Sequence, residues 1–129
     1  MIASITDRNI TSDLSIRTLR KALESQPTIK EGLILHSDQG SQYTSKAFTE
    51  FCESVNVTQS TSKAGYPYDN APMERYFNTL KNECTNLYEF TTEETLYQKV
   101  EEFAYVDYNH VRPHSYNGYR TPYEARTAA

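Results

Sequence analysis

Tryptophan is absent from this chain, glycine occurs only four times, cysteine twice, and no apolar run approaches the length of a membrane span. The last absence excludes a spanning helix. No basic segment leads into an apolar one at the start, so a cytoplasmic protein is expected. The glycines form no phosphate-cradling loop, which leaves a nucleotide-dependent enzyme of small molecules without support. Cys52 and Cys84 fall among apolar positions of helical stretches, with no His or Cys at metal spacing, so both read as free buried thiols. Positive charge is also short. Thirteen Lys and Arg against seventeen Asp and Glu give a net charge of −4, which excludes nucleic-acid binding by bulk charge alone. There is no repeat, low-complexity tract or long linker, and 129 residues suffice for one domain with its own core.

Tyrosine is the one strong excess: eleven in all, seven of them between Tyr88 and Tyr123. Most are expected to pack half-buried with their hydroxyls on polar partners, and base stacking is the second use open to a few. The acid is clustered, with Glu89, Glu93, Glu94, Glu101 and Glu102 on one helical stretch that reads as a solvated outer face. Lys63, Arg75 and Lys81, and Arg112, Arg120 and Arg126 in the tail, are less offset, so a locally positive groove on an acidic body is expected.

The opening M-I-A-S-I-T reads as a short strand. Thr11, Ser12 and Asp13 supply capping chemistry for a helix to about Ser25 with Ile16, Leu19 and Leu23 on one face. Leu33 to Ser37 reads as a buried strand, and helical spacing resumes at Thr44 or Ser45 and runs to about Ser54. Val57 to Thr61 is another strand, and K-A-G-Y-P-Y-D-N is a loop. Asp69 or Asn70 caps the next helix, with Pro72 in its first turn. There Met73, Phe77, Leu80 and Cys84 form an apolar stripe beside a polar one of Glu74, Asn78, Lys81 and Thr85. A further helix starts at Thr92 and continues to about Asn109, and the tail ends in a turn and a short helix from Pro122. Strands alternating with helices imply an α/β class with a parallel sheet and covering helices.

Asp38 follows the apolar run and precedes a glycine turn, at a strand end where ligands of α/β sheets gather. Taken alone, an Asp-X-Gly after a strand reads as a turn. Thirty-five residues separate Asp38 from Glu74, which stands in a first helical turn that favours an acid through the dipole alone. The two carboxylates can share a divalent cation. Lys81, seven residues on, lies about 10 Å along the same helix face and suits a polyanion across the site. Ser41, Gln42 and Tyr43 can bond phosphates, and Lys63, Arg75 and Asn78 extend the polar surface. His36 reads as a packing or supporting residue of the site, and His110 and His114 as structural.

H-S-D-Q-G-S-Q-Y-T-S, Y-D-N-A-P-M-E-R-Y-F-N-T-L-K-N-E and Y-N-H-V-R-P-H, in that order, resemble the integrase core of bacterial insertion-sequence transposases, akin to retroviral integrase cores. The resemblance runs from about Ser4 to Ala125. It implies an RNase H-like mixed sheet flanked by helices, Mg²⁺ or Mn²⁺, and DNA as substrate, cut by activated water and then attacked by the freed 3′ hydroxyl. It further implies that Asp38 and Glu74 are the second and third acids of an Asp-Asp-Glu triad. Lys81 matches a residue implicated in contacting the donor DNA end, and Asn78, Arg75, Gln42, Ser41 and Lys63 are the expected further DNA contacts.

The triad's first acid has no match. Asp7 and Asp13 precede Asp38, but Asp7 is only thirty-one positions away and matches a loop, so both read as loop and capping residues. The expectation is one partial core domain over 1–129 (core about 4–110, tail 111–129) lacking the first two strands. Such a chain should hold metal weakly, cut little or no DNA alone, and self-associate through an unpaired sheet edge or join full-length transposase. The alternative is a non-catalytic dimerisation or regulatory module, and a third reading is an unrelated RNase H-like nuclease that uses two acids.

Overall fold

In a computed structural model of the chain, residues 1–26, 32–62 and 71–128 are described. They fall into two compact units, Asp7–Tyr76 and Met1–Thr6 with Phe77–Ala129.

In the unit Asp7–Tyr76, helix α1 (Ser12–Ser25) starts as its sequence dictates. The Thr11 hydroxyl accepts the Leu14 amide at 3.1 Å. Arg17 donates to Asp13 at 2.8 Å and to Asp7 at 2.6 Å, which pulls the Asp7 carboxyl below its ordinary pKa. Both aspartates are thus held by one guanidinium, in keeping with structural roles. Strand β1 (Ile34–Ser37), the single turn α2 (Ser41–Thr44), helix α3 (Lys46–Ser54) and strand β2 (Thr58–Thr61) follow. Ser45 caps α3 by accepting the Phe48 amide. The helix ends with Asn56 left-handed (φ 59°), with Val57 N–H on the Cys52 carbonyl and Asn56 N–H on that of Glu53. That is a Schellman turn, and it feeds Val57 back beside Cys52.

Strands β1 and β2 pair in parallel, with Ile34 opposite Thr58 and Ser37 opposite Thr61. Leu19, Phe48, Cys52 and Val57 form the core of this unit, with Ile16, Leu23, Leu33 and Leu35 packed against it. The expected fully buried strand is corrected here. Leu33, Leu35 and Ser37 face inward, whereas Ile34 is 64% exposed and His36 lies on the same outer face. A pleat alternates faces whatever its residues, so a run of three apolar side chains cannot bury all of them against one layer.

In the other unit, residues 1–6 form no strand, contrary to expectation. The groups that a ladder would use at Ser4 are taken instead by one side chain. Tyr105 Oη accepts the Ser4 amide at 2.7 Å and donates to the Ser4 carbonyl at 3.3 Å. Helix α4 (Ala71–Glu83) begins in the unit Asp7–Tyr76 and ends in this one. Its packed stripe is turned by one residue from the expected one. Tyr76 and Cys84 are buried and Leu80 is half-buried, while Met73 is 46% and Phe77 50% exposed. Adjacent aromatics lie ~100° apart on a helix, and the pattern alone did not tell Tyr76 from Phe77.

Helix α5 (Glu93–Glu102) is capped by Thr92 and keeps its glutamates exposed. The chain then continues helically, as expected, but with π winding over Phe103–Val111, closed by a 2.7 Å bond from Arg112 N–H to the Asp107 carbonyl. Helix α6 (Pro122–Thr127) carries a full capping box in which Thr121 and Glu124 each accept the other's amide. Both cysteines are buried and free, and burial pushes both thiols up. Among the described tyrosines, Tyr43, Tyr76, Tyr97, Tyr105 and Tyr108 are buried or half-buried, as expected of most, whereas Tyr88, Tyr116, Tyr119 and Tyr123 are exposed.

Replacing Thr121 with Ala removes one half of the capping box and should lower stability by about 1 kcal/mol in urea denaturation, with Thr121→Ser retaining most of it. An unchanged midpoint for Thr121→Ala would show that the box contributes nothing.

Candidate functional site

Asp38 leaves the carboxyl end of β1 exposed to solvent. Its Oδ1 accepts the Gly40 amide at 2.8 Å, forming the side-chain turn typical of Asp-X-Gly. Gly40 then acts as N-cap of α2 with φ −56°. Any residue adopts that angle, so conformational freedom is not why glycine stands here. Space is the reason: a Cβ on Gly40 would lie 2.7 Å from Gln42 Oε1 and 2.9 Å from Asp38 Oδ1. Glycine therefore lets the Asp38 carboxylate and the Gln42 amide close in on one point. Ser41 is exposed at the start of α2. Tyr43 turns the other way, edge-on to Phe48 at 5.5 Å, and burial and the Asp38 charge raise its hydroxyl pKa.

The backbone at Asp38 is braced from β2. The Ser62 amide donates to the Ser37 carbonyl at 2.9 Å, and the Ser37 hydroxyl donates to the Asp38 carbonyl at 3.0 Å. On the outer face, His36 Nδ1 meets Ser60 Oγ and Nε2 meets Ser62 Oγ, each at 3.0 Å. An imidazole with both nitrogens on hydroxyls staples the two strands near the end of their ladder, since each hydroxyl can donate or accept. His36 is thus a support beneath Asp38, as its place in the sequence led us to expect.

Glu74 lies exposed in the first turn of α4, and Lys81 is exposed in its last, the charge order that the helix dipole favours. Arg75 and Asn78 are also exposed. Lys63 and the capping candidates Asp69 and Asn70 lie outside the described residues. His110 stacks on Tyr123 at 4.3 Å, which gives it a packing contact.

Among the described residues no three His, Cys, Asp or Glu side chains are grouped to hold a metal. Asp38 and Glu74 have the hard, exposed oxygen donors that magnesium and manganese take, so their chemistry fits such an ion, with further ligands needed to complete its shell. Two features escaped the sequence reading. The turn α2 is too short for periodicity to reveal, and the crowding at Gly40 leaves no local signal beyond the glycine itself.

Gly40→Ala should shift the melting temperature by no more than a few degrees, because both crowded atoms end side chains that can swing aside. It should nonetheless move the Asp38 and Gln42 side-chain resonances in NMR. Unmoved resonances would refute the steric role.

Two families described as integrase core domains match the chain, one over residues 1–67 and the other over 55–122. The transposase for insertion sequence element IS904 of Lactococcus lactis is 42% identical over 91 residues, covering 70% of this chain and 36% of its own length. The IS600 uncharacterized 31 kDa protein of Shigella sonnei is 38% identical over 113 residues, 88% of this chain and 41% of its own length. The InsF transposase of IS3A from Escherichia coli is 33% identical over 113 residues, again 88% of this chain and 39% of its own. The chain thus spans about two fifths of these relatives. A chain of the simian T-cell lymphotropic virus intasome in complex with PP2A regulatory subunit B56 gamma superposes with a TM-score of 0.71 at 17% identity, over 95% of this chain and 42% of that one. At that identity the likeness concerns the fold, which is RNase H-like as the sequence motifs implied. With both halves of the sequence matched, the chain belongs to the integrase core domain family and is related to insertion-sequence transposases.

Proposed function

We propose that this chain is the part of a DNA transposase core that supplies two metal-binding carboxylates, Asp38 and Glu74, and the DNA-contacting Lys81. The observation that carries this reading is the exposed Asp38 carboxylate, braced at a strand end in a chain of the integrase core family. Asp38 and Glu74 would hold Mg²⁺ or Mn²⁺. When bound, such ions supply activation of the attacking oxygen and stabilisation of the leaving one. Lys81 meets a backbone phosphate of the element end as a point charge. Asn78 and Arg75 lie on the exposed surface of the same helix, and Ser41, Gln42 and Lys63 add contacts to the strand being cut. A net charge of −4 limits general affinity for DNA, so specific docking depends on these few groups and on other parts of the transposase.

Two carboxylates hold a divalent ion weakly without further ligands. The chain by itself is therefore proposed to nick DNA slowly or not at all, and to act once a further acid is supplied in trans. A second reading, an associating or regulatory module, is favoured by the sheet. Among the described residues β1 and β2 pair only with each other, and an edge left open recruits another strand. The occupant proposed for that edge is a second copy or full-length transposase.

Mn²⁺ titration followed by paramagnetic line broadening should show weak binding that Asp38→Asn and Glu74→Gln each reduce severalfold. Lys81→Ala should leave metal binding intact, weaken DNA binding and reduce its salt slope by about 1. Metal binding indifferent to both acid variants would overturn the assignment. Robust Mn²⁺-dependent nicking by the chain alone, lost in Asp38→Asn, would overturn the proposed inactivity. Mixing with full-length transposase separates the two readings: gain of activity favours the catalytic part, and poisoning favours the regulatory module.

A further inference from the structure

The tail holds a surface that the carboxylates and Lys81 do not explain. Residues 114–120 form a tight loop held by backbone bonds that include His114 N–H to the Arg120 carbonyl at 3.1 Å, and Asn117 and Tyr119 N–H to the His114 carbonyl at 3.0 and 2.9 Å. Gly118 is left-handed at φ 66°, as glycine readily is, but Tyr119 follows it at φ 63°. A bulky residue in that region is strained, and such strain persists only where the surrounding bonds impose it. Packing does not reward it here, because Tyr119 is 75% exposed and Tyr116, on the same loop, is 90% exposed. The loop therefore holds Tyr119 out in solvent at a conformational cost, with Tyr116 exposed on the same loop.

The charge around them is distinctive for this acidic chain. From residue 112 to 126 there are three arginines against one glutamate. That glutamate, Glu124, is committed to the Thr121 amide at 2.8 Å, and Arg112 is committed to Glu83 at 2.9 Å. Arg120 is exposed, its Nε anchored to the Asn117 carbonyl at 3.1 Å, and Arg126 lies over the Tyr123 ring at 5.5 Å. Exposed rings on a closed loop, with guanidinium groups close by in sequence, suit one class of partner. Unpaired nucleotides offer a π-face to each ring and a phosphate to each arginine, whatever their sequence.

We propose that the loop 114–120, with Arg120 and Arg126, is a stacking platform for unpaired bases of a DNA strand. The proposal rests on DNA as the substrate and adds a second contact region to it, one that favours single-stranded or frayed DNA over intact duplex. Such a platform would hold strand displaced near a DNA end.

Fluorescence anisotropy of the full chain with a labelled oligothymidylate and with a blunt duplex of equal length tests this. The single strand should bind more tightly. Tyr116→Ala should weaken it about tenfold, within the range for one stacked base, and leave duplex binding nearly unchanged. Tyr119→Gly should weaken it similarly while keeping or raising the melting temperature, since it removes ring and strain together. A structural role for Tyr119 predicts the opposite shift in melting temperature. If Tyr119→Gly unfolds the chain, Tyr116→Ala decides alone. Binding lost in Lys81→Ala but retained in both tyrosine variants overturns the platform and leaves the DNA reading standing. Absence of any oligonucleotide binding overturns both. Tyrosine variants that alter self-association in light scattering, and not DNA binding, would mark the loop as a protein contact and overturn the proposal.

Discussion

Everything proposed for Asp38 depends on a parallel ladder only four residues long. Such a pair is marginal by itself, and here one face is covered by α1 and α3 through Leu19, Phe48 and Cys52, with Val57 joining them at the entry to β2. On the outer face, Ile34 and His36 are exposed among the described residues, and polar bonds join the strands there. His36 joins the strands through Ser60 and Ser62, and the Ser62 amide and Ser37 hydroxyl carry the bracing to the Asp38 backbone. A carboxylate that must meet a metal needs a fixed backbone and an exposed head. A strand end, buried on one side and hydrogen-bonded on the other, provides both.

Much of this was legible because it is local. Thr11, Ser45, Thr92 and Thr121 each stand just before a helix and accept an amide of its first turn, as a hydroxyl there is expected to do. What failed depends on partners distant in sequence. Met1 to Thr6 alternates like a strand, yet the Tyr105 hydroxyl, a hundred residues on, occupies the Ser4 backbone. The choice between Tyr76 and Phe77 as the buried ring of α4 likewise depends on what the helix meets.

The site was legible to a different degree. The three motifs named the family, and the matches over both halves of the sequence bear that out. They also directed attention to Asp38, whose turn is visible in the Asp-X-Gly pattern. They did not reveal why Gly40 is glycine. The usual inference, a backbone freedom that only glycine has, is wrong at φ −56°, and the reason lies in two side-chain oxygens that converge on the place of its missing Cβ.

The π-helical stretch has a consequence for how relatives of this chain are compared. Each π turn takes in more residues than an α turn, so Phe103–Val111 advances the chain without an equal rotation. Side chains within it present faces that an α-helical projection from Glu93 would assign wrongly. A relative one residue shorter between Glu102 and Arg112 could wind this stretch as α-helix and still keep its tail in place. The segment is thus a natural point for a single-residue length change, absorbed by the winding of a helix rather than by a loop.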